Sequence, residues 1–354
     1  MTMLESLIVA SVFGLAGLFV FVYGYNRYIV GEHSGVAKHL VPPAVLIVLV
    51  VIPTGLGWWT GFSWLLGLPA GVFVFFLLGE VQRLAIRRRC RAAPPVKVER
   101  PHLAGRRPIT TIDLVIAYYR IEAPGWSGRR LRVAHLSDLH LNGALPMAYY
   151  FGLMEQVNRT HADLVVLTGD FVSDLTFKDH LPELLAHLAP RHASLATLGN
   201  HDYWIGPEPI ADRVVSSGVL LIQNQVRCLE LPGVGPVAVL GCDLPWYTAN
   251  WNQIRPEPGQ LLLAMSHTPD NVYRIASTGA VAMFSGHLHA GQFRLPWLGP
   301  VVVPSIYGRR FDHGHFEVAG VHLFVTAGVG VSGPALRLRC HPDLFIVDIV
   351  GAGG

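Results

Sequence analysis

Several short apolar runs in the middle of the chain are followed directly by acidic, amide and imidazole side chains. Five runs end this way, and the residues at their ends read SDLH, TGD, GNHD, SH and GHLH. Carboxylate and imidazole groups with few thiolates suit Mn, Fe, Zn and similar divalent ions. A single such ending is typical of an ordinary turn or cap, but five in order favour a metal centre. Two ions about 3.5–4 Å apart can clamp the attacking and leaving oxygens of a phosphoryl group, with one carboxylate between them.

From about residue 109 onward, runs rich in Val, Leu and Ile alternate with stretches of helical spacing. Predicted strands lie at 112–122, 131–138, 163–170, 194–200, 236–243, 261–267, 280–287, 322–328 and 343–349. Predicted helices lie at 146–160, 177–189, 207–218 and 269–278. Many strands with crossover helices predict an α/β sandwich. Because binding crevices form at the carboxyl ends of strands in α/β sheets, the polar groups should meet at one edge.

The ordered pattern DLH, GD, GNHD, H and GHLHAGQ, within residues 131–292, resembles the signature of the calcineurin-like metallophosphoesterases. The later segments PSIYGRRFDHGHF and TAGVGVSGPALRLRCHPDLFIVDI are similar to the bacterial membrane-anchored branch of that family, so the resemblance covers roughly 110–350. It implies a double β-sandwich flanked by helices, with two metals at one edge. It also implies a metal-dependent hydrolase of phosphoric esters or diphosphates.

The resemblance further implies a role for each residue of the signature. The implied ligands are Asp138, His140 and His289 for one ion, Asn200, His267 and His287 for the other, and Asp170 as the bridge. The expected ions are Mn, with Fe or Zn as alternatives, and the nucleophile would be a hydroxide between them. His201 would protonate the leaving oxygen, and Asp202 would orient and polarise His201. Glycines 169, 199 and 286 would let the chain turn sharply at the strand ends.

Four further residues are predicted to reach the substrate. Arg309 and Arg310 have the fork geometry that binds phosphate or diphosphate, with solvated surface arginines as the alternative. Gln292 is expected to orient His289 or to contact the substrate. Tyr203 is expected to form an apolar wall for the leaving group or simply to pack.

The chain departs from the family pattern in two places. Ser173 stands where the family often has Asp, three residues after the bridging position, and Asp174 follows it; no known metal ligand is lost. The long cap insertions of some lipid-processing relatives are also missing. The segment 245–259, rich in Trp and Tyr, is the best candidate for a membrane-facing or substrate-gripping loop.

The first 82 residues have the composition of a membrane region. Charged residues make up 14% of the whole chain and hydrophobic residues 51%, whereas a soluble domain has about 25% charged residues. Uncharged stretches at 7–25, 40–59 and 62–79 predict three transmembrane helices, or two if the last two merge. A cleaved signal peptide is the alternative for the first, although it lacks a basic start and a cleavage site. A basic, Pro-containing linker is predicted at 83–108 and the catalytic domain at 109–350.

Lys and Arg residues set the expected orientation of these spans. They cluster after the third span, so the N-terminus is predicted outside and the catalytic domain on the cytoplasmic side of a bacterial inner membrane. Directly beside a span, the basic stretch favours anionic lipid headgroups over nucleic acid as a partner. The four cysteines form no CxxC pair, which predicts free thiols in a reducing compartment.

These features predict a membrane-anchored dinuclear metal hydrolase acting on a lipid-linked phosphate near the bilayer. The resembled branch includes UDP-2,3-diacylglucosamine hydrolases of lipid A synthesis, which release UMP, and this lipid nucleotide is the leading substrate. A general phosphodiesterase acting on soluble substrates is the alternative. A non-catalytic scaffold is disfavoured because the whole ligand set and His201 are present. The predicted spans carry no internal charge, which argues against an ion pathway.

Overall fold

A computed structural model of the protein describes residues 5, 8–9, 11–17, 37–60, 67–100, 109–243, 253–300 and 302–351. The chain divides into two compact units, one of Met1–Arg89 with Val301–Arg310 and one of Cys90–Pro300 with Phe311–Gly354. Much of the predicted first span, the start of the third, and most of the aromatic segment 245–259 lie outside the described residues.

The described residues of the first unit up to Arg89 are helical. Its helices are Ala37–Leu46 (α1), a π-helical turn Ile47–Val51, Ile52–Thr60 (α2) and Gly67–Cys90 (α3). Within the described residues, Pro43–Thr60 is the one helical segment whose length and apolar composition would suffice to cross a membrane. Helix α3 continues past Gly79, where the third predicted span ends. An ion pair between Glu80 and Arg83, 2.7 Å apart at i and i+3, supports this continuation.

The second unit is built from strands. In chain order they are Lys97–Glu99 (β1), Val115–Ala123 (β2), Arg130–Leu136 (β3), Leu164–Leu167 (β4), Ala193–Ala196 (β5), Leu220–Leu221 (β6), Val226–Leu231 (β7), Gly235–Cys242 (β8), Leu261–Ser266 (β9), Ala282–Ser285 (β10), Arg294–Leu295 (β11), Gly299–Pro300 (β12), Gly314–Val318 (β13), Val321–Val325 (β14) and Asp343–Gly351 (β15). All nine predicted strands have a counterpart among them.

Two large sheets contain most of these strands. The first has the order β1-β2-β15-β3-β4-β5-β6, and the second β13-β14-β10-β9-β8-β7. Strands β3 to β6 are parallel to one another, and so are β8, β9, β10 and β14. Parallel neighbours bring their carboxyl ends to the same edge of a sheet, which is the edge where the polar sequence motifs begin.

Helices connect the parallel strands. They are Met147–Arg159 (α4), Leu181–Ala186 (α5), Asn200–Ile205 (α6), Pro207–Ser216 (α7) and Val272–Ala276 (α8). The predicted helix 177–189 begins as a separate 3-10 turn, Leu175–His180, which Asp174 caps by accepting from Thr176 N at 2.9 Å.

Two large clusters of buried hydrophobic side chains make up most of the core in the described part of the chain. Val133 and Val166 of the first sheet and Leu263, Phe284 and Phe324 of the second belong to one buried cluster, so the two sheets share a hydrophobic interior. A second cluster joins the other face of the first sheet to helices α4, α5 and α7. Both clusters include the apolar runs by which the strands were predicted, and the predicted α/β class is confirmed.

The structure also contains strands that the sequence analysis did not predict. Strand β1 lies within the predicted linker and pairs antiparallel with β2. Strands β7 and β13 are edge strands of the second sheet. In β7 most side chains are exposed, so its sequence lacks the continuous apolar run that reveals a buried strand.

Candidate metal centre

The seven predicted metal ligands lie together at the carboxyl ends of parallel strands. They follow β3 (Asp138, His140), β4 (Asp170), β5 (Asn200), β9 (His267) and β10 (His287, His289). Six of them are buried and His287 is half-buried. Groups of three that can hold a metal ion are Asp138, His140 and His289; Asp170, His267 and His287; and His140, Asp170 and His201.

The backbone leaves the extended conformation abruptly where the ligands begin. Asp138 (φ 58°), His140 (φ 46°), Asp170 (φ 56°), His287 (φ 70°) and His289 (φ 49°) all adopt left-handed conformations. Such conformations are uncommon for residues other than Gly and cost about 1–3 kcal/mol each. The left-handed turns explain why the predicted strands run a few residues past the observed strand ends.

Close packing behind the ligands requires glycine. Gly169 has φ +91°, and a Cβ there would lie 2.4 Å from Gly199 N. A Cβ on Gly286 would lie 1.9 Å from Ser137 Oγ and 2.2 Å from Asp138 Oδ2. The predicted turning role therefore fits Gly169, whereas Gly286 is needed because two chain segments approach each other closely.

The first group of ligand atoms centres on Asp138. Its Oδ1 lies 3.5 Å from His289 Nε2 and 3.8 Å from His140 Nε2. The two imidazole Nε2 atoms are 2.9 Å apart. Three side chains from two different strand ends therefore direct ligand atoms at one point.

The second group centres on His267. Its Nε2 lies 2.9 Å from Asn200 Oδ1, 3.1 Å from His287 Nδ1 and 3.4 Å from Asp170 Oδ2. Asp170 Oδ2 is also 3.5 Å from His140 Nε2, in the first group. The Asp170 carboxylate thus lies between the two groups, as a bridging ligand would.

Proton positions indicate that these atoms suit a cation. His267 Nδ1 lies 2.7 Å from Thr168 O and must donate to it, because a carbonyl only accepts. A neutral His267 then presents the lone pair of Nε2 to the oxygens of Asn200 and Asp170, and a positive charge between these atoms would stabilise them. Burial lowers the pKa of His267, but the adjacent Asp170 outweighs it and raises the pKa to about 9. A proton bound at Nε2 would satisfy the same acceptors as a metal ion.

The remaining ionisable ligands agree with this interpretation. Burial lowers the pKa of His140 to about 3, and burial likewise holds the pKa of His289 well below its usual range. Both rings are therefore neutral, as metal ligation requires. Burial raises the pKa of Asp138 to about 7 despite the opposing influence of His267. A buried carboxyl of this kind is readily ionised by a divalent cation, and the residues fit such ions.

Residues 131–291 match the protein-family model described as calcineurin-like phosphoesterase. The chain contains a calcineurin-like metallophosphoesterase domain. The resemblance inferred from the sequence motifs is confirmed, and the protein is accordingly a metal-dependent phosphoester hydrolase. The match begins within β3 and ends at the 3-10 turn His289–Gly291, so it contains every residue of the two ligand groups.

Curated bacterial proteins are similar over most of this metallophosphoesterase domain. The uncharacterized metallophosphoesterase YkuE of Bacillus subtilis is 25% identical over 227 residues, covering 62% of this chain and 78% of that protein. Phosphodiesterase YaeI of Escherichia coli is 27% identical over 229 residues, covering 62% and 82%. UDP-2,3-diacylglucosamine pyrophosphatase LpxG of Chlamydia trachomatis is 26% identical over 223 residues, covering 47% and 66%.

His201 lies beside the ligand groups of the metallophosphoesterase domain. Its ring centroid is 4.6 Å from that of His140, and its Nδ1 is 3.3 Å from Ser173 Oγ. Its backbone N–H donates to Asp170 Oδ1 at 2.8 Å, so helix α6 is hydrogen-bonded to the carboxylate that lies between the two ligand groups. Burial lowers the pKa of His201. The exposed Trp204 packs on the ring with a centroid distance of 4.7 Å.

Asp202 has a different environment from the one that the resemblance implies. Its carboxylate accepts backbone N–H groups rather than lying against the His201 ring. The donors are Asp170 N (2.8 Å), Phe171 N (2.9 Å), Val172 N (3.3 Å) and Gly199 N (2.9 Å). Because both oxygens are occupied in this way, Asp202 fixes the turn that presents Asp170 and Asn200. The His201 ring instead contacts a hydroxyl group.

Replacing Asp202 with Asn should destabilise the metallophosphoesterase domain by about 3 kcal/mol, because the new NH2 group must face backbone donors in either orientation. Thermal unfolding should show a midpoint lower by on the order of 10 °C. Asp174→Asn is the matched control, since Asp174 also accepts a backbone N–H but is exposed. Equal midpoints for the two variants would contradict the anchoring role of Asp202.

Two predicted substrate residues make other contacts within the domain. Gln292 is buried; its Nε2 donates to Ser332 O at 3.0 Å and Pro334 O at 3.1 Å, and its Oε1 accepts from Ser332 N at 3.0 Å. The hydroxyl of Tyr203 donates to Asp243 Oδ2 at 2.9 Å. Its partly buried ring packs against the core cluster that joins the first sheet to helices α4, α5 and α7. In this structure both side chains hold loops in place.

Arg309 and Arg310 belong to the first unit rather than to the metallophosphoesterase domain. Arg309 is buried there, with its Nη2 2.9 Å from Glu80 Oε2 on α3. The Arg310 guanidinium lies 5.6 Å from the centre of the Tyr307 ring. A role in binding substrate phosphate stays a prediction for both.

Arg337 is a site residue that the sequence analysis missed. Its side chain is fully buried. Nη1 donates to Ala327 O at 2.9 Å, Nη2 to Gly328 O at 3.0 Å and Nε to Gly330 O at 3.0 Å. The carbonyls belong to the loop after β14, where Gly330 N donates to Asp138 O at 2.8 Å. Arg337 therefore holds the loop that packs behind Asp138.

Replacing Arg337 with Lys should destabilise the domain by about 2–3 kcal/mol, because one ammonium nitrogen cannot occupy the three positions from which Nε, Nη1 and Nη2 reach separate carbonyls. The midpoint of thermal unfolding should fall accordingly. Arg339→Lys is the control, since Arg339 is exposed two residues further along the same segment. An unchanged midpoint for Arg337→Lys would show that the buried fork is dispensable.

Proposed function

We propose that the protein is a membrane-anchored hydrolase that cleaves a phosphodiester or diphosphate bond in a lipid-linked substrate such as UDP-2,3-diacylglucosamine, releasing UMP. The observation that carries the chemistry is the convergence of two ligand groups on Asp170, with His201 beside them. Two divalent ions, expected to be Mn, would supply an activated water and neutralise charge on the phosphoryl group.

In this proposal different residues hold the metal ions, donate the proton and position the ligands. Asp138, His140 and His289 would hold one ion, Asn200, His267 and His287 would hold the other, and Asp170 lies between the two groups. His201 donates a proton to the leaving oxygen, which matters most when that oxygen is strongly basic. Asp202 keeps the turn at Asp170 in place through the backbone. Trp204, exposed beside His201, is available to pack against a leaving group.

Three observations support a lipid-linked substrate. LpxG of Chlamydia trachomatis, a similar protein, is named for UDP-2,3-diacylglucosamine pyrophosphatase activity. The segment Pro43–Thr60 has the length and composition of a membrane span. Helix α3 ends in Arg87, Arg88 and Arg89, and a basic helix end beside a span suits anionic headgroups. The proposed topology, a multi-pass inner-membrane protein with its catalytic domain on the cytoplasmic side, rests on the spans and the charge pattern predicted from the sequence.

A soluble phosphodiester is the second candidate substrate. Phosphodiesterase YaeI of Escherichia coli aligns over 82% of its own length, more than the 66% of LpxG. The ligand groups and His201 would serve either substrate, because they contact the phosphoryl centre and not the remainder of the molecule. The two candidates therefore share the cleaved bond and differ in whether the substrate carries a lipid.

The test is UMP release from UDP-2,3-diacylglucosamine by the full chain, purified in detergent with Mn²⁺, with Asp170→Asn as the blank. Release by the parent alone would support the lipid nucleotide. Hydrolysis of bis-p-nitrophenyl phosphate without UMP release would reject this substrate and retain the phosphodiesterase chemistry. A reporter fused after residue 354 tests the topology, because activity only outside the inner membrane would reject a cytoplasmic catalytic domain.

A further inference from the structure

The Ser173 hydroxyl lies between two imidazole rings of the site. Its Oγ is 2.5 Å from His140 Nδ1 and 3.3 Å from His201 Nδ1. The backbone around it is held in register, since Ser173 N donates to Leu141 O at 3.1 Å and Val172 forms a parallel bridge with Leu141. Ser173 is half-buried. Its position is therefore set by the same turn that presents Asp170.

The direction of each hydrogen bond follows from the atoms available. His140 directs Nε2 at the ligand group, so a ring that binds a cation through Nε2 carries its proton on Nδ1. That N–H donates to Ser173 Oγ. A hydroxyl has one hydrogen to donate, and the remaining partner, His201 Nδ1, then accepts it. The ring proton of a neutral His201 must consequently lie on Nε2.

We propose that Ser173 is a positioning residue that couples cation binding at His140 to the tautomer of His201, holding the His201 proton on Nε2. The proposal rests on the proposed function, in which His201 is the proton donor to the leaving oxygen. Without this hydrogen bond, the ring proton of His201 would be distributed between Nδ1 and Nε2. A molecule with the proton on Nδ1 would have none on Nε2, the nitrogen that donates to the leaving oxygen.

The neighbouring carboxylates are engaged elsewhere. Asp202 accepts four backbone N–H groups. Asp174, next to Ser173, is exposed and accepts both the backbone N–H and the hydroxyl of Thr176. A neutral hydroxyl therefore takes the place that a charged orienting group would occupy. The Ser173 hydroxyl accepts a hydrogen bond from His140 and donates one to His201, and it adds no negative charge beside Asp170.

The hydrogen bond between His140 Nδ1 and Ser173 Oγ also leads to a prediction about metal affinity. Ligating histidines depend on a partner for the other ring nitrogen, and losing it typically weakens metal binding about 10–100-fold. Ser173→Ala removes the acceptor of His140 Nδ1–H and the donor to His201 Nδ1 together. Ser173→Thr keeps the hydroxyl and should restore both. Asp174→Asn changes the adjacent residue without touching either ring and serves as the control.

The experiment uses the full chain labelled with ¹⁵N-histidine in Mg²⁺, a diamagnetic ion, and Mn²⁺ titration of unlabelled protein. His201 resonances are assigned by their loss in His201→Ala. In the parent protein and in the Ser173→Thr and Asp174→Asn variants, His201 should show a protonated Nε2 and an unprotonated Nδ1. Ser173→Ala should show averaged ring shifts and at least ~10-fold weaker Mn²⁺ binding.

The outcomes separate this proposal from the proposed function. Unchanged His201 ring shifts in Ser173→Ala, or averaged shifts in Ser173→Thr, would overturn the tautomer role. Parent-like Mn²⁺ affinity in Ser173→Ala would overturn the coupling to His140. If instead His201→Ala hydrolyses esters of poor leaving groups as fast as the parent, the acid role of His201 fails, whatever the ring shifts show.

Discussion

Replacing Asp170 with Asn is expected to abolish turnover and lower the bound metal content together. Asp170 Oδ2 lies 3.5 Å from His140 Nε2 and 3.4 Å from His267 Nε2, between the two ligand groups. An amide has one ligating oxygen and no net charge, so it cannot bridge two cations as a carboxylate does, and the negative charge between the two ligand groups is lost. We expect a loss of on the order of 10³-fold or more in kcat/KM. Metal content by elemental analysis and hydrolysis of bis-p-nitrophenyl phosphate would measure the two effects.

The matched control for this variant is Asp212→Asn. Asp212 is an exposed residue of α7, so the same change of charge is made away from the ligands. It should leave metal content and rate unchanged. A fully metal-loaded Asp170→Asn protein that retains its rate would contradict the assignment of Asp170 as the bridge.

Replacing His201 with Ala should separate catalysis from metal binding. His201 is not in either group of predicted ligands, so the variant should keep its metal. Loss of a positioned proton donor typically costs about 10²–10⁴-fold in rate. The loss should be large for an alkyl leaving group and small for p-nitrophenolate, which departs without protonation. Rates with a series of aryl and alkyl phosphodiesters would show this difference as a steeper dependence on leaving-group pKa.

His180→Ala provides the comparison, because His180 is an exposed imidazole at the end of a 3-10 turn. It should match the parent across the whole series. Two results would argue against His201 as the acid: an equal loss for every leaving group, or a loss of metal from His201→Ala, which would instead make His201 a ligand.

The sequence predicted well which side chains lie together at the site, because its signals are local. Asp138, Asp170 and His267 each follow a continuous apolar run typical of a buried strand, and strand ends of a parallel sheet meet at one edge. Edge strand β7 was not predicted, since most of its side chains are exposed and no such run exists. Local patterns therefore located the site, and they located the buried parts of the sheets better than the edges.

The roles of Asp202 and Arg337 depend on distances that no local pattern encodes. The carboxylate of Asp202 takes up N–H groups at 170–172, about thirty residues earlier in the chain. Arg337 has the sequence context of a surface arginine, yet it is buried, with its guanidinium donating to three carbonyls of the loop after β14. Both contacts involve the backbone, so the identity of the partner residues gives no hint of them.

The ligand residues with left-handed backbone conformations lower the stability of the fold while they supply the groups needed for catalysis. Glycine occupies these φ values without steric cost, so Asp138→Gly or His140→Gly would relax the backbone while removing a ligand. Proteins commonly retain such locally unfavourable residues where activity needs them. Stabilising substitutions selected in this chain without metal should therefore accumulate at the ligand turns, and a thermostable form obtained that way would be an inactive one.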